Sequence, residues 1–440
     1  MLALDVGSSA VRARLYDEHA APLGKEARRA YAARTDGELD PVAVRDAALA
    51  VEDEARRVGP PADAVATSCF WHSLLALDGR GRPLTPVLTW RDVRSARQAH
   101  ALASRLDPAA VHRRTGAPLH GSFWPAKLGW LRDEQPDVFR SARHFVSFAD
   151  WLLLEQTGEL RTSLSMASGT GLLADGAWDS ELLDALGVEP GRLPPIDDTP
   201  VVERRPALGD GACSNLGSGC GVPGRTALNL GTSAALRIVR TDDEPAPQGL
   251  FRFRVDERRA LVGGSVSAGA SLVRWLAATV RSDTDSRLAA RPAAAHGLAF
   301  VPHLAGERSP GRNDEATGAI AGLTFDTTAL DIAQAAVEGL ALELRRVAEL
   351  LPQTDELVVS GGLSRNDDVL RIVADVLERP LLVSAEPEAS ARGAAVAVLE
   401  RLGHEPPSPA VSRSVDPRKD RAEAYRSAMT RHLRLMRGVT

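Results

Sequence analysis

The chain has 440 residues, of which 44% are hydrophobic and 25% charged, a balance that excludes a disordered or fibrous protein and gives room for two or three domains. Of 53 basic residues only Lys25, Lys127 and Lys419 are lysines, and the single Gly-Lys pair, Gly24-Lys25, runs into Glu26, so a Walker A loop is excluded. A net charge of −5 without a dense basic block argues against a nucleic-acid partner, and no apolar stretch is long enough to span a membrane.

The chain opens Met1-Leu2-Ala3-Leu4-Asp5, with no basic leader and a carboxylate where a signal peptide would be apolar; a cytoplasmic protein is expected. Residues 2–17 read as a strand, a Gly7-Ser8-Ser9 turn and a second strand. Strands are predicted at 64–69 and 73–77, a turn at 78–81 and a short strand at 87–90. Helices are predicted at 93–106, 124–132 and 145–156. The stretch 190–206 is rich in Pro and Asp and reads as irregular surface. Cys69, Cys213 and Cys220 form no C-x-x-C pair, and an odd count suits a reducing compartment. The ten histidines show no H-E-x-x-H spacing, so no zinc site is expected.

Residues 226–239 repeat the opening pattern at an offset of 224, with Gly231-Thr232-Ser233 matching Gly7-Ser8-Ser9 and Asn229 matching Asp5. This points to a duplicated unit and two lobes, 1–221 and 222–440. In the second, a hairpin at 250–266, a helix at 271–280, a strand at 298–302, a long helix at 330–351, a strand at 356–359, a helix at 367–378, a strand at 381–383 and a helix at 390–401 follow. Strands alternating with helices imply α/β layers.

Chemistry concentrates at a few points. Turns of Gly and hydroxyl residues expose N–H and O–H donors, and two of them facing each other would hold a polyphosphate without lysine. Asp5, ending a strand beside the first turn, could hold Mg²⁺ or its waters, or simply cap the turn. Asp210, in Gly209-Asp210-Gly211, is placed at a helix start, where the dipole favours its ionised form; it reads as a general base or as a plain N-cap. The string Gly219-x-Gly221-x-x-Gly224 precedes a strand and contains Pro223, so it is not a dinucleotide fingerprint. Gly361-Gly362 and Gly393 would let a flat ligand lie on backbone. Trp71, His72, Trp90, Asp92, Arg94, His120, Trp124 and Lys127 give the first lobe aromatic faces and polar groups suited to a polyol, although tryptophans also commonly fill cores.

These residues carry a resemblance to the FGGY family of carbohydrate kinases, within the actin/hexokinase/Hsp70-type superfamily. Asp5–Ser9 with Arg12 resembles the family's first phosphate motif, and Leu230-Gly231-Thr232-Ser233 its second. Gly209-Asp210-Gly211 is similar to the segment of the catalytic aspartate. Ser360-Gly361-Gly362 with Asn366 and Gly393 resembles the adenosine motif. Residues 300–310 resemble the signature before the long helix. Residues 118–120, 124–128, 147–148 and 165–172 are most similar to gluconate kinases. Phe70-Trp71 and Ser267-Ala268-Gly269 depart from the usual pattern, near the expected sugar.

The resemblance implies two ribonuclease H-like, actin-like ATPase lobes around a cleft. It implies ATP and Mg²⁺ as cofactors, with Mg²⁺ near Asp5, and Asp210 as catalytic base. Phosphate binding falls to Gly7, Ser8, Ser9, Arg12, Gly231, Thr232 and Ser233, and adenosine binding to Gly361, Gly362, Asn366 and Gly393. The sugar falls to His72, Trp90, Asp92, His120 and Lys127. The expected acceptor is gluconate or a similar open-chain sugar acid. The alternatives are a ketopentose such as xylulose, or a sugar-binding regulator without turnover. Oligomeric state is not legible, and a homodimer is compatible with the sequence.

Overall fold

The computed structural model describes residues 1–35, 37–281 and 287–438. Strand Leu2–Val6 is buried along its whole length, as befits a strand covered on both faces. It pairs antiparallel with Ala10–Tyr16 and parallel with Val65–Cys69. The first sheet runs Leu208–Gly209, Val65–Cys69, Leu2–Val6, Ala10–Tyr16, Pro22–Ala30. The second runs Phe251–Arg254, Ala260–Val266, Ala234–Arg240, Arg225–Leu230, Glu356–Ser360, Leu381–Ser384, Val411–Val415. Its centre copies the first: Arg225–Leu230 is antiparallel to Ala234–Arg240 and parallel to Glu356–Ser360. The register repeats as well. Asp5 lies beside Ser68, and Asn229 beside Ser360.

Each sheet carries a long amphipathic helix. Pro41–Val58 starts where the Asp40 carboxylate accepts from the Val42 and Ala43 amides, and it buries Val44, Ala48, Val51 and Ala55, one stripe at helical spacing. Ala329–Ala348 starts at a reciprocal Thr328–Asp331 capping box. A separate apolar cluster around Leu74, Leu88, Trp124, Leu128 and Phe145 forms the core of an insertion in the first lobe.

Three predicted helices shift. Residues 145–156 resolve into strand His144–Val146 and helix Phe148–Thr157, because Ser147 and Asp150 close a capping box that fixes the helix start. Residues 93–106 yield only Ala96–Ala103, since the Ala96 amide bonds the Val93 carbonyl in a turn before it. Residues 271–280 become Ala270–Trp275 followed by a π-helical stretch, Leu276–Val280. The string at 219–224 follows a helix and leads into strand Arg225–Leu230, which agrees with its rejection as a dinucleotide motif.

The helix expected at 390–401 is Ala389–Arg401, but it covers the first sheet as well as following the second. Ala391 and Ala395 pack against Ala3 and Tyr16. It also crosses helix Asp210–Gly217 at very short range. A Cβ on Gly393 would fall 1.7 Å from the Cys213 carbonyl oxygen, and one on Gly217 1.8 Å from that of Ala389. Gly393 therefore serves this helix crossing and does not line the cavity that Gly361 and Gly362 border, a correction to its expected place beside adenosine.

Candidate active site

Asp210 is the first residue of helix Asp210–Gly217. The two glycines around it answer to Trp71: a Cβ on Gly209 would lie 1.8 Å from the indole and one on Gly211 2.5 Å from it. The indole N–H donates to the Ser165 carbonyl at 3.0 Å, and Ser165 Oγ accepts from the Gly209 amide at 3.2 Å. The Gly-Asp-Gly string is thus a strand end and helix start pressed onto a tryptophan, with only the aspartate projecting. Burial raises the Asp210 carboxyl above the ordinary aspartate range, opposed by nearby Arg237 and by the Gly211 amide, which donates to it at 2.8 Å. The helix start favours the ionised form, as expected from sequence, but burial outweighs it.

Asp210 opens onto a cavity of about 200 Å³ between the lobes. Ser8 from the first turn and Gly231, Thr232 and Ser233 from the second line it, with Asn229, Trp71, His72, Trp90, Arg237 and Arg308. The two turns expected to face each other do so. The first is closed by the Gly7 amide on the Ala10 carbonyl at 3.0 Å, while Tyr31 donates its hydroxyl to the Gly7 carbonyl and its amide to the Ser9 carbonyl. The second is braced from behind, where the Ala270 and Ser271 amides bond the Gly231 and Thr232 carbonyls.

Asp5 is buried behind the first turn. Ser68 Oγ donates to one carboxylate oxygen at 2.8 Å, and Arg12 Nη1 lies 3.6 Å from the other. Burial pushes its carboxyl up to about 6 against those two favourable partners. One buried carboxylate beside a phosphate-sized turn fits Mg²⁺, which takes one or two protein carboxylates and keeps waters and phosphate oxygens for the rest. Arg12 also borders a second cavity of about 620 Å³, lined by Gly361, Gly362, Ser384, Pro387 and Arg413. That cavity lies where the adenosine motif was expected. Asn366 does not line it; its side chain accepts from the Val369 amide and caps helix Asp367–Leu377.

The sugar residues divide. Trp90 and His72 line the main cavity. His72 holds a backbone φ of 66° and is tied through Nδ1 to the Gly169 carbonyl; burial keeps its imidazole neutral, well below the usual histidine range. His120 belongs to a small adjoining cavity of about 20 Å³ and lies against Asp314 of the second lobe. Asp92 is buried and lines neither cavity, with one oxygen accepting from the Arg94 amide and Nε. Lys127 is only 1% exposed. Its ammonium donates to the carbonyls of His72 at 2.8 Å, Thr89 at 2.7 Å and Leu88 at 3.3 Å, which uses all its donors. A direct Lys127–sugar contact is therefore corrected. Lys127 pins the segments bearing His72 and Trp90, and burial lowers its amine to about 7. Ser267 and Ala268 are likewise absent from the cavity wall; Ser267 Oγ donates to the Gly306 carbonyl at 2.8 Å.

Three arginines were missed as site residues. Arg237 and Arg308 line the main cavity, and Arg308 and Arg312 the adjoining one. Arg308 lies over the Trp90 ring at 4.8 Å. None of the three makes an ion pair among the described residues, and burial lowers all of them, Arg308 to about 10 and Arg312 to about 9. The 300–310 segment holds the signal for Arg308. His303 and Glu307 turn inward to Glu343 and Arg346 of the long helix, which aims Arg308 into the cleft. His303, Glu307 and Glu343 are close enough to bind a metal, but Arg346 reaches Glu307 at 2.9 Å and Glu343 at 2.8 Å and already supplies the positive charge.

Comparison with known proteins agrees with this arrangement. Residues 1–203 match the N-terminal domain and residues 226–399 the C-terminal domain of the FGGY family of carbohydrate kinases. A xylulose kinase of Streptomyces rubiginosus is 32% identical over 77% of this chain and 74% of its own. The chain belongs to the FGGY family of carbohydrate kinases. A gluconokinase of Bacillus subtilis is 26% identical over 99% of this chain and 95% of its own. The solved xylulose kinase of Lactobacillus acidophilus superposes with a TM-score of 0.91 at 24% identity, covering 99% of this chain and 97% of that one. This FGGY kinase has the two-lobed, actin-like ATPase fold and is an ATP-dependent sugar phosphotransferase. Among its described residues no helix is long and apolar enough to cross a membrane.

Proposed function

We propose that this FGGY kinase phosphorylates the terminal hydroxyl of gluconate or a similar open-chain sugar acid. One observation carries the substrate class. Arg308 and Arg312, half-buried cations with no ion-pair partner among the described residues, border the adjoining cavity; Arg308 also lines the main cavity with Asp210, whereas Arg312, whose buried Nε lacks a hydrogen-bond partner, does not. A buried guanidinium without a counter-ion is costly, and a bound carboxylate would satisfy it. A sugar lying across Trp90 and His72 would put its carboxylate there and its far hydroxyl at Asp210. The full-length similarity to a gluconokinase supports the same class.

In this reading Asp210 takes the proton of the attacking hydroxyl. Its oxygen bonds to the γ-phosphorus as the bond to ADP breaks. The amides and hydroxyls of Gly7–Ser9 and Gly231–Ser233 hold the phosphates, Arg12 borders them, and Gly361-Gly362 meets the adenosine. Mg²⁺, when held near Asp5, would neutralise phosphate charge. Positioning and charge complementarity supply most of the rate in such transfers.

The test is a panel of gluconate, xylulose and glycerol assayed for ADP release, with Arg312→Met beside the native enzyme. Gluconate should be preferred, and the variant should raise its KM about 10- to 100-fold, the loss of one charged hydrogen bond. Activity on xylulose alone would replace the sugar acid with a ketopentose.

A further inference from the structure

Arg237 is unexplained by the binding of a distant carboxylate. It lies on strand Ala234–Arg240, which leaves the second Gly-Thr-Ser turn. Ala234, Leu236 and Ile238 point into the core of the second lobe, so Arg237 projects from the other face, towards the first. Two glycines leave it a corridor. Gly263 is its partner across the ladder, where a Cβ would fall 2.9 Å from Arg237 Cγ. A Cβ on Gly211, the residue after Asp210, would fall 3.3 Å from Arg237 Nε.

Arg237 lines the main cavity together with Asp210, Ser8 of the first turn and Gly231–Ser233 of the second. Its Nε and Nη1 are buried with no hydrogen-bond partner, and among the described residues no carboxylate lies within ion-pair distance of it, Asp210 being the nearby opposite charge. Desolvating a cation and leaving its donors unused is costly, and an anionic ligand would offset that cost. Two anions enter this cleft. The proposed sugar carboxylate has Arg312, which lines the adjoining cavity and not the main one. The anion that reaches the space between Asp210, Ser8 and Thr232 is the transferring phosphoryl group.

We propose that Arg237 is a catalytic residue that donates to the non-bridging oxygens of the transferring phosphoryl group. It rests on the reading of Asp210 and the turns, not on the identity of the sugar. As the hydroxyl oxygen bonds to the γ-phosphorus and the bond to the ADP oxygen breaks, the hydroxyl proton passes to Asp210. ADP leaves with the bonding electron pair, and Arg237 stabilises the charge spread over the equatorial oxygens. This gives a chain without a P-loop lysine a fixed cation at the reacting centre.

The experiment compares Arg237→Met and Arg237→Lys with the native enzyme. Arg237→Met should lower kcat about 10²- to 10³-fold, leave both KM values within a few-fold, and bind ADP normally. Native enzyme with sugar should bind ADP more tightly in the presence of aluminium fluoride, which imitates the transferring group, and the Met variant should lose that gain. A loss expressed in sugar KM, with kcat kept, would reassign Arg237 to the substrate. An unchanged aluminium fluoride response would also overturn the proposal. If the Met variant does not fold by circular dichroism, Arg237→Lys decides by the same measurements. The kcat loss should be equal on every sugar that turns over, so failure of the sugar-acid reading would leave this result readable.

Discussion

Asp210 shows how a local rule and burial compete at one residue. The helix start lowers a carboxyl, burial raises it, and the net shift is upward. A raised value makes the carboxylate a stronger base at neutral pH but one that is protonated sooner. As pH falls, Asp210 takes up its proton above the ordinary aspartate value, so kcat/KM should decline on the acid side before that value is reached. A profile flat down to 3.8 would contradict the assignment. Asp210→Asn should cost about 10²–10⁴ in kcat with ATP binding kept, checked by single-turnover kinetics and calorimetry. The residue chemistry was legible where a motif is contiguous, as at Gly209-Asp210-Gly211. It was not legible for Lys127, whose role depends on three carbonyls from segments 38 to 55 residues away.

At the scale of elements, the decisive contact is the crossing of Asp210–Gly217 by Ala389–Arg401. Sequence put a helix in each place, from a small-residue, helix-compatible run after Asp210 and an alanine-rich run around Gly393, both local signals. It did not reveal that the two helices touch backbone to backbone through Gly217 and Gly393. Because Asp210 starts the first of these helices, the crossing positions the proposed base. Gly393→Ala would place a methyl group 1.7 Å from the Cys213 oxygen. It should destabilise the protein by about 1–3 kcal/mol, read from the denaturant midpoint, and lower kcat through displacement of Asp210. Unchanged stability and turnover would show that the helices separate without consequence. The strand Phe251–Arg254 is a parallel case. Its alternation is local, but Phe251 and Phe253 line the main cavity only because the lobes meet there, with the Arg252 amide on the Gly116 carbonyl at 2.8 Å.

At the scale of the molecule, the two sheets repeat one pattern, and the cleft between them holds both cavities. Closure on sugar and nucleotide would expel the water that competes as phosphoryl acceptor. Small-angle scattering with gluconate and a non-hydrolysable ATP analogue should show a smaller radius of gyration than either ligand alone gives. An unchanged radius would mean that the cleft works as it stands. Sequence by itself determined the duplication, the two turns, Asp5 beside the first of them, Asp210 between its glycines and the absence of a P-loop, because each rests on residues adjacent in the chain or on composition. Only the tertiary structure decided which side chains share the cleft. Arg237 and Arg312 look like any other arginines in a chain with so few lysines, and Arg308 is marked only by the 300–310 segment around it. Their meaning comes from lining the cleft without an ion-pair partner among the described residues, and that placement is set by elements far apart in sequence that folding packs together.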